Sequence, residues 1–123
     1  MGRLTTHVLD TARGKPAAGV AIELWWLGTE AEERYDQVLT VLTNADGRTD
    51  QPLLQGDALW QGRYALIFAV GGYFAAADET GLAVGDPPFL DLVPVRFGVS
   101  DPAAHYHIPL LVSPWAYSTY RGS

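Results

Sequence analysis

The chain is predicted to be all-β: a two-sheet sandwich of about eight strands with one short helix. Three observations predict it. Short runs of alternating apolar and polar residues recur along most of the 123 residues, and a period of two is the mark of a half-buried strand. Groups of Gly, Pro, Asn and Asp separate the runs at short intervals, as turns between strands require. Four Trp, six Tyr and four Phe suit pleated faces packed on one side. The length is that of one domain, residues 1–123, and no repeat, low-complexity tract or break in composition divides it.

The first strand is expected over Leu4 to Asp10, with Leu4 and Val8 toward the core and Thr5, His7 and Leu9 facing out. Arg13-Gly14-Lys15-Pro16 turns the chain into a second strand, Val20 to Leu27, with Val20, Ile22, Leu24 and Trp26 on one face. An acidic hairpin from Gly28 to Glu33 leads to a third strand near Tyr35 to Thr43. Asn44-Ala45-Asp46-Gly47 is a turn, because Asn, Asp and Gly tolerate left-handed backbone. Arg48 comes directly after it and is expected to open a short fourth strand. Gly62 to Val70 is a fifth, with Tyr64, Leu66 and Phe68 inward, and Ala-rich Tyr73 to Glu79 is the one helix. Gly85 to Pro88 links to a strand over Leu90 to Val99, with Val93, Val95, Phe97 and Val99 on one face. The last two strands are His105 to Val112 and Trp115 to Tyr120, joined at Ser113-Pro114.

Composition excludes several functions. There is no cysteine, hence no disulfide, thiolate nucleophile or thiolate metal site. A net charge of −6 argues against a nucleic-acid surface, which needs a basic face. The longest apolar run, Tyr64 to Ala77, is broken by Gly71-Gly72 and is too short to span a bilayer. The N-terminal residues enter a strand pattern without the apolar stretch of a signal peptide. A cytoplasmic protein without a membrane segment is expected.

The chain has only three histidines. His105 and His107 lie two apart on one strand and share a face, and His7 lies on another strand at the far end of the sequence. Tyr106, Ile108, Leu110 and Val112 form an apolar face for the core. The opposite face, His105, His107, Pro109 and Leu111, is too apolar for ordinary wet surface, so another subunit is expected to cover it. Two imidazoles titrating near neutral pH can divide proton donation and acceptance. A guanidinium such as Arg48 can hold a carbonyl or an anion with a fork of donors. Other readings of the same residues remain open. A strand histidine is often structural or merely exposed, an H-x-H pair is also a metal-site pattern, and an arginine after a turn is often solvated surface. No Gly-x-Ser-x-Gly elbow surrounds any serine.

Several motifs then carry a resemblance that runs the length of the chain in order. Leu4-Thr5-Thr6-His7-Val8-Leu9-Asp10, with Arg13-Gly14-Lys15-Pro16-Ala17, resembles the opening signature of the transthyretin-like family. Thr43-Asn44-Ala45-Asp46-Gly47-Arg48 resembles its middle segment. His105 to Pro114 and Tyr117 to Ser123 resemble its closing signature. One branch of that family carries thyroid hormone, and the other hydrolyses 5-hydroxyisourate, the unstable product of urate oxidation. Both form homotetramers, dimers of dimers, with a channel where the dimers face each other.

The resemblance points to the hydrolytic branch. That branch has His, Arg and His at the positions of His7, Arg48 and His107, and it ends in the tetrapeptide found here as Tyr120-Arg121-Gly122-Ser123. Carriers have Lys, Glu and Thr at the first three positions. A non-catalytic carrier of a small aromatic ligand is the alternative, and these residues disfavour it. Trp115 and Ala116 depart from the usual pattern, where a smaller aromatic and Gly or Ser stand. The resemblance implies catalysis by His7, Arg48 and His107 and substrate binding by Ser118, Tyr120, Arg121, Gly122 and Ser123. His105 takes a secondary place, and no metal or organic cofactor is implied.

Overall fold

The computed structural model describes residues 1–77 and 85–123. Nine strands form two sheets, with one α-helix and one 3₁₀ turn (Gly56–Ala58) among the described residues. The strands are β1 (Arg3–Asp10), β2 (Lys15–Pro16), β3 (Ala21–Gly28), β4 (Glu33–Leu42), β5 (Leu54–Gln55), β6 (Gly62–Ala69), β7 (Leu92–Val99), β8 (His105–Val112) and β9 (Tyr117–Thr119). The helix is α1 (Val70–Ala76). One sheet has the order β2-β1-β8-β9 with β5 also paired to β1, and the other has the order β4-β3-β6-β7.

The alternation in the sequence becomes the sandwich interior. Leu4 and Val8 of β1, Ile22 and Leu24 of β3, Leu66 and Phe68 of β6, and Leu110 and Val112 of β8 are all buried between the sheets. Each such side chain stabilises the fold by about 1.5–3 kcal/mol relative to leaving it in water. Trp26 packs edge-on against Tyr64 at 4.9 Å, and Tyr64 stacks on Phe97 at 5.8 Å. The strict alternation of β3 fails after Leu24. Register shifts between Leu24 and Trp25, and between Trp26 and Gly28, turn Leu27 inward, as bulges do by adding a residue on one side of a ladder.

The pairing that matters most for function is that of β1 with β8. It is parallel, and it sets Thr5 opposite His107, His7 opposite Pro109 and Leu9 opposite Leu111. Residues from the two ends of the sequence therefore share rows on the outer face of one sheet. Thr6, inward and buried, donates from its hydroxyl to the Ile108 carbonyl at 2.7 Å and locks this register from below.

Four expected elements differ. The expected turn Arg13-Gly14-Lys15-Pro16 ends in a short strand, with Lys15 and Pro16 paired to Asp10 and Leu9. Arg48 opens no strand. The Asn44 amide N–H donates to the Arg48 carbonyl at 2.7 Å, and the Arg48 N–H donates to Asn44 Oδ1 at 3.2 Å, so both backbone groups are spent on the loop rather than on a ladder. The short strand comes later, at β5, opposite Arg3 and Leu4. The helix starts at Val70 rather than Tyr73, because Val70 and Phe74, four residues apart, bury one face. Gly71 permits this: a Cβ there would meet the Pro88 ring at 2.7 Å and Asp91 Oδ1 at 2.8 Å. The expected end of the helix, Asp78-Glu79, lies outside the described residues. Finally, the last strand is shorter than Trp115 to Tyr120, since Ala116 closes the turn by accepting from the Ser113 N–H at 2.8 Å.

Candidate active site

The free edge of β1 is short of strand partners between β2 and β5, and a loop fills the gap. The Val8 N–H donates to the Gly47 carbonyl at 2.8 Å, and the Leu53 N–H to the Leu4 carbonyl at 2.8 Å. Gly47 has a φ of +74°, and a Cβ there would lie 2.4 Å from the Val8 carbonyl oxygen. Only glycine allows both. The loop is braced from within by Asn44, whose Oδ1 accepts from the Asp46 and Arg48 amides at 2.9 and 3.2 Å and whose Nδ2 donates to Asp50 Oδ1 at 3.0 Å. The Arg48 backbone is thereby fixed at the cleft that Thr5 and His107 also line.

A polar cleft of about 430 Å³ results, lined among others by Arg3, Thr5, Arg48, Asp50, His107 and Ser123. The volume falls within the usual range for small-molecule sites. His107 is half-buried, and its Nδ1 lies 2.8 Å from Thr5 Oγ1. Its other flank is closed by the chain's last residues. The Gly122 N–H donates to the His107 carbonyl at 2.7 Å, and a Cβ on Gly122 would lie 2.6 Å from His107 Cδ2. His7 is half-exposed on the same face, and its Nε2 lies 2.8 Å from the Asp46 carbonyl. A carbonyl oxygen only accepts, so Nε2 carries the proton and the neutral ring keeps its lone pair on Nδ1.

Electrostatics links the three groups. Burial pushes the His107 imidazole below its ordinary value of 6.5, and the Arg48 guanidinium and His7 push it the same way. All three causes disfavour adding a proton to His107. At neutral pH it is an uncharged ring beside a permanent cation, able to accept a proton from a polarised water. Among the described residues, no three His, Asp or Glu side chains converge to hold a metal. No helix among them is long and apolar enough to cross a membrane.

The other expected site residues are distributed unevenly. Gly122 and Ser123 border the cleft. Ser118 is paired with Leu111 on the outer face, four residues along β8 from His107 and so roughly 13 Å away. Tyr120 and Arg121 line a different, apolar recess with Val95, Phe97, Tyr106 and Ile108. The Arg121 guanidinium sits 4.3 Å over the Tyr106 ring and donates to the His105 carbonyl at 3.2 Å. It anchors the tail that brings Gly122 and Ser123 to His107. His105 is exposed and its Nε2–H donates to the Met1 carbonyl at 3.1 Å. Arg3, Thr5, Asn44 and Asp50 were not singled out by sequence. Thr5 shares the outward period of His7, which was the available signal, but its meeting with His107 depends on the parallel pairing.

The fold and the site together define a transthyretin-type sandwich with a histidine–arginine cleft on the outer face of one sheet. The profile of the HIUase/Transthyretin family matches residues 4–122. A curated relative from Ralstonia nicotianae, named 5-hydroxyisourate hydrolase, is 57% identical over 100% of both chains. A solved Klebsiella pneumoniae 5-hydroxyisourate hydrolase superposes with a TM-score of 0.76 at 32% identity, covering 100% of each chain. A crystal structure of (S)-allantoin synthase superposes with a TM-score of 0.89 at 46% identity, and the match covers 99% of this chain but 44% of that one. The chain belongs to the HIUase/Transthyretin family.

Proposed function

We propose that this protein hydrolyses 5-hydroxyisourate, opening its six-membered ring to give 2-oxo-4-hydroxy-4-carboxy-5-ureidoimidazoline. The observation that carries the reading is the cleft in which a proton-poor His107 lies beside Arg48, with His7 in electrostatic reach. The named relatives, alike over their whole length, support the substrate.

In the reaction, an imidazole of the His7–His107 pair takes a proton from a bound water. The water oxygen bonds to the ring carbonyl carbon. The carbon–nitrogen bond then breaks, its electron pair stays on nitrogen, and an imidazolium of the pair returns a proton there. Arg48 holds the substrate and offsets the negative charge that builds on the carbonyl oxygen. Gly122 and Ser123, which border the cleft, complete substrate binding, whereas Ser118, Tyr120 and Arg121 lie outside it within one chain. Acid–base catalysis contributes about 10²–10⁴-fold and one charge-stabilising donor about 10²–10³-fold. That is sufficient for a substrate that already decays in water. Neither step requires a metal or an organic cofactor.

The working form is a homotetramer of single-domain chains in the cytoplasm. The outer face that carries the site also bears Leu9 and Leu111, both half-buried, an apolar pair suited to contact with another copy, while Pro109, opposite His7, is already buried within the chain. The direct test generates 5-hydroxyisourate in situ with urate oxidase and tracks its ultraviolet absorbance. Loss well above the spontaneous rate, proportional to added protein, is expected. Decay at the spontaneous rate refutes the reading.

A further inference from the structure

Resting on that reading, we propose that Thr5 is a positioning residue that fixes the tautomer and orientation of His107, presenting Nε2 to the cleft as the proton-accepting atom. The imidazole has four ring atoms around its edge besides Cγ, and neighbouring groups occupy two of them. Nδ1 is taken by Thr5 Oγ1 at 2.8 Å. Cδ2 is covered by Gly122, whose Cα leaves no room even for a methyl group. Between these flanks lie Cε1 and Nε2, and among the described residues no protein atom hydrogen-bonds to Nε2. Of the two ring nitrogens, Nε2 alone serves the cleft.

The two strands give Thr5 little freedom. Thr5 and His107 are opposite each other in the β1–β8 ladder, and the buried Thr6 hydroxyl on the Ile108 carbonyl holds that register. A β-branched side chain on a strand has few rotamers to choose from. The hydroxyl can accept from Nδ1–H, which leaves the lone pair on Nε2. The base role needs this arrangement, because a ring protonated at Nε2 has nothing to accept a proton with on the cleft side. The charged and titratable groups around His107 are Arg48 from the loop and His7 from β1, with Arg3 and the Asp50 carboxylate on the same cleft.

The test compares Thr5→Val, which replaces the hydroxyl with an isosteric methyl, with Thr5→Ser, which keeps the hydroxyl. Nitrogen-15 spectra of the imidazole at neutral pH read the tautomer directly. In the native protein and in Thr5→Ser, Nδ1 is expected to be the protonated nitrogen, and Thr5→Val is expected to shift population toward Nε2–H. With 5-hydroxyisourate, Thr5→Val should lower kcat about 10–100-fold, by analogy with the loss of the partner that orients a metal-bound histidine, with KM changed less than about threefold. Thr5→Ser should recover most of kcat. An unchanged tautomer in Thr5→Val, or native kcat in that variant, overturns the proposal. A folded Thr5→Ser as poor as Thr5→Val also overturns it. Native protein with no turnover would instead overturn the assigned reaction, while the spectra would still decide the role of Thr5.

Discussion

In the proposed reaction the proton chemistry rests on His107 and His7, and each is held differently. His107 is half-buried and flanked by Thr5 and Gly122, whereas His7 is tied through Nε2 to the Asp46 carbonyl. Replacing either by Ala should lower turnover about 10²–10⁴-fold and leave the fold intact, as read by circular dichroism alongside the absorbance assay. The pH profile carries a second expectation. Burial first, and then Arg48 and His7, hold His107 below 6.5 when folded. The neutral base therefore persists below pH 6.5, and the rate should fall only as pH drops through the lowered value. Arg48→Gln removes one of the three causes, so its acid limb should move upward toward 6.5 in addition to its loss of rate. The same shift has a stability sign. The unfolded chain takes up this proton from pH 6.5 downward while the folded one resists, so stability is lost in that window as pH falls.

At the scale of elements, the loop from Asn44 to Arg48 has the most concentrated design. One side-chain amide accepts two backbone N–H groups and donates to Asp50, and the loop in turn supplies the carbonyl that orients His7. Asn44→Ala should cost about 1–3 kcal/mol, two or so net hydrogen bonds. Because Arg48 and His7 both lose their support, turnover should fall by about 10²-fold. Thermal melts and kinetics on one preparation separate the two effects. The turn itself was legible from Asn, Asp and Gly in sequence. The path of the chain beyond the turn was not, since Arg48 could equally have begun a strand until Asn44 was seen to take both of its backbone groups. A buried knot lies at the C-terminal end of β1. Burial would raise the Asp10 carboxyl, but hydrogen bonds from Tyr73 and Arg13 bring it below its ordinary value. Burial, together with Asp10, pushes the Tyr73 hydroxyl up to about 12. The pair fastens α1 to the strand that carries His7. Its contribution is present above about pH 3.8 and is lost as pH falls through the lowered Asp10 value.

For the whole molecule, the period-two pattern made the two sheets, their inward faces and most strand limits readable. Strand identity was local, but strand adjacency was not. Nothing in the residues of β1 or β8 says that they pair in parallel, and Thr5 gained its meaning only from that pairing. The helix start was hidden for a related reason, because Gly71-Gly72 reads as a breaker until the close approach of Pro88 and Asp91 is known. Ser118, Tyr120 and Arg121 illustrate the limit of a linear motif: close together in sequence, they are divided between separate surfaces and do not share a cleft within one chain. At this scale the proposed tetramer makes the remaining prediction. Activity per chain should fall on dilution in parallel with dissociation measured by sedimentation, and a fully active monomer would exclude a shared channel.

The hydrogen bond between Thr5 and His107 joins residues 102 positions apart. During synthesis β1 is made before β8 and has no strand to lie against on that side until β8 follows, 102 positions later at this contact. A chain that stops short of β8 lacks the Thr5–His107 contact and the cleft that these residues line. Contacts this distant in sequence also slow the search for the native state. The enzyme's maturation should lag behind its translation, and the unpaired edge of β1 is the surface most exposed to wrong partners in that interval.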